Sequence, residues 1–253
     1  LALKAAQRQK PGVAAETRAL AREFAILQRV LGCDPVTKAG CDIAKRPSKL
    51  EANAGDNADL NGALGVASTA GQTVLLEYVE GKPMSEVGWG RASKADIQAL
   101  LRFHVVKFRY EVGPPYVADR YAAPVAKEIL AALDGKSGKL TLLVGHDTNI
   151  AALRAFLDVH FTAADYPRDD PPPGGAMGFE LLKDAGGKAY VRAFYTAQTM
   201  DQLRGLRPLT AGDPPAYAYF PIPGCAVKGQ PTLCPLATFR KIVGDRLKNP
   251  AKG

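Results

Sequence analysis

The chain has 253 residues, with 33 lysines and arginines against 25 aspartates and glutamates, so its formal net charge is +8. Hydrophobic residues make up 47% of the sequence, an ordinary share for a packed globular protein that excludes disorder of the whole chain. No apolar run reaches the ~18 residues of a transmembrane helix, and no zinc finger, RNP-type motif or basic stripe with interleaved aromatic residues indicates nucleic-acid binding. We therefore expect no membrane and no nucleic-acid partner, and the basic charge suits a polyanionic small molecule.

Up to residue 135 the sequence has an almost wholly helical pattern. The first residues lack the basic region and long apolar core of a signal peptide and look like the middle of a helix, so we expect that residue 1 is not the natural start. The apolar spacing predicts helices at 14–31, 63–80, 94–110 and 120–133, with an exposed polar loop at 51–61 and an irregular stretch at 81–91.

The pattern changes after residue 135. The run 140–144 is short, apolar and partly β-branched, which predicts a strand buried on both faces of a sheet. A polar turn follows, and a helix begins near Ile150. Strand, turn and helix in this order place side chains at a sheet edge beside a helix N-terminus, where α/β folds bind anions. Further on we expect a strand pair at 179–183 and 190–196, joined at Gly186-Gly187, and a closing helix at 235–247.

The four cysteines form two local pairs. Cys33 and Cys41 enclose one turn-rich loop, and Cys225 and Cys234 enclose another. Such loops predict two disulfides and an oxidising compartment, with four buried free thiols as the alternative. A zinc site would need closer cysteine spacing or nearby histidines.

The three histidines are the main candidates for chemistry. His146 and Asp147 lie together at the strand-to-helix turn, where an imidazole can hold a phosphoryl oxygen and a carboxyl can protonate a leaving group. The alternative is an aspartate helix cap beside a surface histidine. His104 lies in the middle of a helix and His160 between two apolar residues, so on this pattern both are structural.

Several spaced motifs together resemble those of the histidine acid phosphatases, in particular their bacterial periplasmic phytase branch. These motifs are Val144-Gly145-His146-Asp147-Thr148-Asn149, Gly88-Trp89-Gly90-Arg91, Leu101-Arg102-Phe103-His104, Pro172-Pro173-Gly174-Gly175 and the two cysteine pairs. The resemblance implies an α/β fold with a helical domain. Residues 1–135 would be the mainly helical α domain, and residues 136–253 the C-terminal part of a phosphoglycerate-mutase-like α/β catalytic domain.

One family motif has no counterpart. The family's nucleophile is the histidine of an Arg-His-Gly-x-Arg-x-Pro motif near the N-terminus, and none of the three histidines is flanked by arginine and glycine in that way. The resemblance therefore implies that an N-terminal segment with the nucleophile is missing from these 253 residues. We expect that segment to be a partner of the chain, and the chain alone to be inactive.

The resemblance also assigns roles by position. It implies that Asp147 is the proton donor and His146 a phosphate contact. The other implied substrate-binding residues are His104, Met84, Lys107, Thr148 and Asn149, of which the last two match the signature and orient the turn.

The implied activity is hydrolysis of phosphomonoesters through a phosphohistidine, without a metal or other cofactor, in a periplasmic or secreted protein. Phytate is the favoured substrate. One alternative is a sugar phosphatase like glucose-1-phosphatase, although that branch tends to have serine at the position of Thr148. The other is a non-catalytic, phosphate-binding member of the family.

Overall fold

A computed structural model of the chain describes residues 1–33, 41–135 and 138–252. Residues 136 and 137, where the predicted domain boundary falls, lie outside the described residues. The described helices are α1 (Ala2–Gln7), α2 (Val13–Ala19), α3 (Ala21–Val30), α4 (Ala63–Val79), α5 (Lys94–Leu100), α6 (Arg102–Glu111), α7 (Pro115–Leu133), α8 (Asp147–Leu157), α9 (Met200–Arg204) and α10 (Leu236–Lys248). The strands are β1 (Lys49–Asn53), β2 (Asn57–Asn61), β3 (Ala176–Lys183), β4 (Ala189–Ala197), β5 (Ala216–Phe220) and β6 (Leu233–Pro235).

The predicted helices are present with two interruptions. The backbone of Leu20 leaves helical geometry and divides the segment predicted as 14–31 into α2 and α3. The predicted helix at 94–110 is divided into α5 and α6 at Leu101, whose backbone dihedral angles stay in the right-handed helical region. Both Leu20 and Leu101 are buried, so the apolar face continues across each break. Apolar spacing records that shared face and therefore predicted single helices.

The segment 51–61 is a β-hairpin, and the prediction of an exposed loop was wrong. Strands β1 and β2 pair antiparallel, with Asn53 opposite Asn57. In β2 only Ala58 and Leu60 are buried, each 2% exposed, between polar residues. Two buried positions in a polar segment are too few to predict a strand from period-two alternation.

The C-terminal sheet confirms the predicted strand pair. β3 pairs antiparallel with β4 across the Gly186-Gly187 turn, and β5 and β6 both pair antiparallel with β4. Alternate residues of β4 are buried, as expected for a sheet with one face on the core. A core cluster joins this face to helices α4 to α8, and a second cluster lies among the helices of the first 110 residues. The fold is thus α/β with a helical domain.

The predicted buried strand at 140–144 does not form. No strand is assigned there, and the side chains of Leu140, Leu142 and Val144 are 86%, 78% and 91% exposed. A strand needs a hydrogen-bonded neighbour, and none of the described residues pairs with this segment. The result is an exposed apolar segment, residues 140–144, leading directly into α8.

The two cysteine pairs are disulfides, as predicted. Cys33 is bonded to Cys41 and Cys225 to Cys234, with Cα–Cα distances of 5.2 and 5.0 Å. The enclosed residues 34–40 lie outside the described residues. Within the described part of the chain, no helix has the length and apolar character needed to cross a membrane.

An ion pair holds α10 against α7 and α8. The Arg246 Nε donates to Asp119 Oδ1 at 2.8 Å, and its guanidinium also donates to the carbonyl of Phe156 at 2.6 Å. Asp119 is 3% exposed, and its second oxygen accepts the Ala251 amide at 2.7 Å. The C-terminal end of α8 is therefore fixed by a buried, charged contact.

Replacing Arg246 with methionine is expected to destabilise the protein by roughly 3 kcal/mol, because a buried carboxylate then loses its charged partner. Urea denaturation measures this as a lower midpoint at an unchanged m-value. The control is Lys241→Met on the same helix, whose pair with Asp245 is exposed and is expected to contribute less than about 1 kcal/mol. Equal midpoints for the two variants would contradict the stabilising role of the Arg246–Asp119 ion pair.

Candidate functional site

The site is built on the N-terminal turn of α8. His146 precedes the helix in extended conformation, and its backbone N–H donates to Asn149 Oδ1 at 2.8 Å. That same oxygen would lie 2.8 Å from a Cβ atom at position 145, so glycine there leaves room for it. Asn149 thus caps the helix and fixes the turn that carries His146 and Asp147. His146 itself is exposed to solvent.

The Asp147 carboxylate is held at one oxygen and open at the other. Its Oδ1 accepts the backbone N–H of Thr148 at 2.7 Å and the Thr148 hydroxyl at 3.1 Å. Its side chain is 45% exposed, and Oδ2 lies 3.7 Å from His104 Nε2. These hydrogen bonds show that Thr148 and Asn149 stabilise the turn. Their contact with substrate stays a prediction.

His104 lies beside Asp147, although the helical pattern alone suggested a purely structural residue. It lies in the first turn of α6, is 6% exposed, and packs on the ring of Phe108 with 4.3 Å between centroids. Its Nδ1 is 2.7 Å from Asp170 Oδ1. The structure therefore brings together two of the predicted site residues, His104 and Asp147, from separate elements.

Asp170 is a buried carboxyl that sequence reasoning missed. It is 1% exposed and precedes the Pro171-Pro172-Pro173 run. Burial raises the pKa of Asp170, and its hydrogen bond with His104 opposes that rise. The one available signal was an acidic residue beside a rigid, apolar proline run, which does not identify its partner.

Two tyrosine hydroxyls extend this buried polar group. Burial, and the nearby charge of Asp170, raise the pKa of both Tyr166 and Tyr195. A Cβ atom at position 175 would lie 2.1 Å from the Tyr195 oxygen, so the second glycine of the Pro-Pro-Gly-Gly loop admits that hydroxyl.

Lys107 lies on the same helix, next to an open groove. The groove has a volume of about 570 Å³ and is lined by Lys107 and Glu111 of α6 and by residues of β2 and α4. The Lys107 Nζ lies 3.9 Å from Glu111 Oε2, and burial raises the pKa of Glu111. Met84 lies in the turn after α4, with 42% of its side chain exposed, and does not line this groove.

The Gly88-Trp89-Gly90-Arg91 motif forms a tight turn that binds α3. Gly88, Trp89 and Gly90 all have positive φ. The Arg91 Nε donates to the carbonyl of Val30 at 2.8 Å, and Arg29 donates to the carbonyl of Arg91 at 2.7 Å. This motif therefore connects helices within the helical domain. Among the described residues, no cluster of three histidine, cysteine or acidic side chains is close enough to hold a metal ion.

Comparison with curated proteins finds phosphatases. The chain is 32% identical over 212 residues to phytase AppA of Escherichia coli (strain K12), covering 79% of this chain and 48% of AppA. It is 26% identical over 216 residues to the glucose-1-phosphatase of Providencia rettgeri, covering 82% of this chain and 51% of that protein. The chain thus spans about half the length of the curated relatives it matches. No protein-family model matches it.

The fold agrees with the sequence comparison. The phytase of Hafnia alvei, solved in complex with tartrate, has a TM-score of 0.83 and 31% identity, over 96% of this chain and 64% of the phytase. The phytase of Klebsiella sp. ASR1 has a TM-score of 0.82 and 27% identity, over 99% of this chain and 65% of the phytase. By sequence and by fold, the chain's homologues are therefore phytases and glucose-1-phosphatases, enzymes of the histidine acid phosphatase family.

Proposed function

We propose that this chain is the proton-donor part of a phosphomonoesterase of the acid phosphatase and phytase type. Asp147 protonates the leaving alcohol, and His146 contacts the phosphate. The observation that carries this proposal is the geometry of Asp147, which begins a helix, accepts two hydrogen bonds at Oδ1 and has a side chain that is 45% exposed. A helix N-terminus also favours a bound phosphate.

The reaction has two steps. A histidine nitrogen attacks phosphorus as the bond to the ester oxygen breaks, and that oxygen takes the proton of Asp147. Water then attacks the phosphohistidine, Asp147 takes the water's proton, and phosphate leaves while the histidine nitrogen is regenerated. In the complete site, arginines and histidines would stabilise the charge on the transferred phosphoryl group, and this chemistry would then need no metal.

The nucleophile lies outside these 253 residues. None of the three histidines has the Arg-His-Gly context. His104 and His160 have their Nδ1 atoms 2.7 and 2.6 Å from the carboxylates of Asp170 and Asp169. We assign the nucleophile to a segment that precedes residue 1, and we call residues 1–253 joined to that segment the extended protein.

The exposed apolar segment supports that assignment. Residues 140–144 favour a buried strand, yet they lie open to solvent beside the proposed site. An exposed apolar segment with unpaired backbone groups is a ready template for pairing with another segment. A strand of the preceding segment, paired with residues 140–144, would carry its histidine to the N-terminal turn of α8, where Asp147 lies.

Phytate is the substrate that the chain's features favour. Its relatives include proteins named as a phytase and as glucose-1-phosphatases. Lys107 gives the groove a cation one helical turn from His104, which suits a substrate with many phosphates. The two disulfides support a periplasmic or secreted location.

Replacing Lys107 with methionine is expected to lower kcat/KM for phytate by about tenfold, corresponding to ~1.4 kcal/mol of lost attraction at a partly exposed site. Glucose 1-phosphate, with a single phosphate, should lose much less. The loss should shrink as salt rises, because salt screens exposed charges. Lys127→Met, an exposed lysine on α7, is the control. Equal losses with both substrates would remove Lys107 from the substrate site.

The extended protein tests the function directly. It is expected to hydrolyse phytate at acid pH, with higher kcat/KM than for glucose 1-phosphate, and to keep this activity in the presence of a chelator. A preference for glucose 1-phosphate would make it a sugar phosphatase. Binding of inorganic phosphate with no hydrolysis of any phosphomonoester would contradict the enzymatic function and leave a phosphate-binding protein.

A further inference from the structure

We infer that Asp170 is a positioning residue, which orients the His104 ring so that its Nε2 faces the proton-bearing oxygen of Asp147. The inference rests on the proposed function of Asp147 for its catalytic consequence. The orientation itself is a property of these three side chains and is testable without catalysis.

The three side chains form a line across the ring. Asp170 Oδ1 lies 2.7 Å from Nδ1 on one side, and Asp147 Oδ2 lies 3.7 Å from Nε2 on the other. The two ring nitrogens point in different directions, so a hydrogen bond that fixes Nδ1 also sets the direction of Nε2. The contact with Phe108 restricts the remaining rotation of the ring.

The burial of the three side chains increases from Asp147 through His104 to Asp170. The side chain of Asp147 is 45% exposed, that of His104 is 8% exposed, and that of Asp170 is 1% exposed. A hydrogen bond between an imidazole and a carboxylate is stronger and more directional away from water. Asp170 is thus placed to hold the ring, while Asp147 is placed to meet a substrate.

The hydrogen bonds of Asp147 indicate which oxygen holds its proton. Oδ1 already accepts the amide and the hydroxyl of Thr148, so the proton of the neutral carboxyl resides on Oδ2. Oδ2 is the oxygen that faces Nε2. At 3.7 Å the imidazole nitrogen is too far from Oδ2 to form a hydrogen bond with it, which leaves the proton available to a leaving group.

The contact with Asp170 also selects the tautomer of His104. A carboxylate only accepts hydrogen bonds, so the Nδ1 of His104 carries a hydrogen and neutral His104 presents an unprotonated Nε2 to Asp147. The other ionisable groups near this pair are Glu111 on the same helix and the hydroxyls of Tyr166 and Tyr195, which interact electrostatically with Asp170. Asp170 is the one of these groups that contacts the ring at hydrogen-bond distance.

Nitrogen-15 NMR of ring-labelled histidines tests the tautomer of His104, and the experiment needs only residues 1–253. The chain has only three histidines, so each ring gives a separable pattern, and His104→Gln identifies the signals of His104. Above pH 8, His104 is expected to show a protonated Nδ1 and an unprotonated Nε2. Asp170→Asn is expected to abolish the dominance of this tautomer. A wild-type His104 with its hydrogen on Nε2, or a tautomer unchanged in Asp170→Asn, would overturn the inference.

The neighbouring residue provides a matched control. Asp169 lies 2.6 Å from His160 Nδ1 in an equivalent contact that faces solvent. Asp169→Asn is expected to change the signals of His160 and to leave those of His104 as in the wild type. If Asp170→Asn does not fold, the wild-type tautomer alone decides for or against the inference.

The extended protein supplies a second, kinetic readout. Asp170→Asn is expected to lower kcat for an alkyl phosphate by up to about 10²-fold, the size expected of a misplaced catalytic group. The kcat for an aryl phosphate should change little, because its leaving group needs no proton. Equal losses on the two substrates would overturn the positioning role. An extended protein with no phosphatase activity would refute the proposed function, while the NMR result still decides the orientation of His104.

Discussion

Replacing Asp147 with asparagine in the extended protein is expected to slow hydrolysis of phytate by about 10²- to 10⁴-fold, the usual contribution of a general acid. Hydrolysis of an aryl phosphate such as p-nitrophenyl phosphate should slow much less. An inositol alkoxide is a strong base and needs a proton in the transition state, whereas nitrophenolate leaves readily without one. Asparagine retains the size of the side chain and an acceptor for the Thr148 hydrogen bonds, so the change removes proton donation and little else.

The measurement is kcat/KM for both substrates near pH 5, wild type against variant. Asp158→Asn is the matched control, because Asp158 ends the same helix and is exposed at its opposite end. That variant should hydrolyse both substrates at the wild-type rate. Equal losses on the two substrates in Asp147→Asn would show that Asp147 is structural, and the acid would then be another group.

Residues 1–253 purified by themselves are expected to turn over no phosphomonoester. Without a nucleophilic histidine there is no route to a phosphohistidine, whatever the state of Asp147. Co-expression with the preceding segment should restore hydrolysis of p-nitrophenyl phosphate. Robust turnover by the 253-residue chain, verified by intact mass, would contradict the assignment of the nucleophile.

The same pair of samples tests where the segment packs. Backbone amides at 140–144 are expected to exchange rapidly with solvent in the chain alone, because this segment has no strand partner among the described residues. They should become protected in the complex. Protection elsewhere with continued fast exchange at 140–144 would place the segment on another surface.

Sequence patterns located the elements better than their tertiary relations. The longer helices and the β3–β4 pair have many periodic apolar positions, and they lie in the segments predicted for them, although two of those helical segments are divided and α9 was not predicted. The run 140–144 was assigned to a buried strand because composition indicates the environment a segment favours. A strand also needs a partner, and no local pattern supplies one. For the β1–β2 hairpin the error was the opposite one, because a loop was predicted where strands form. Pairing and turn geometry form this hairpin, although β2 has only two buried residues.

The same distinction between local patterns and tertiary relations applies to the candidate site. His146 and Asp147 were found because they are adjacent in a strand-to-helix turn. The relation between His104, Asp147 and Asp170 joins residues 43 and 66 positions from His104, so only the fold reveals it. The helical pattern predicted a purely structural role for His104. Periodicity indicates which residues are buried, but it does not identify the partner of a ring nitrogen.

Identifying the residue that accepts the phosphoryl group tests the proposed mechanism most directly. In that mechanism residues 1–253 supply the proton donor, and a histidine outside them is the nucleophile. The extended Asp147→Asn protein, mixed with p-nitrophenyl phosphate and quenched in alkali, should accumulate a phosphohistidine, because the variant lacks the base that activates water. Peptide mapping is predicted to place that phosphate on a histidine that precedes residue 1. A phosphate on His104, His146 or His160 would contradict the account.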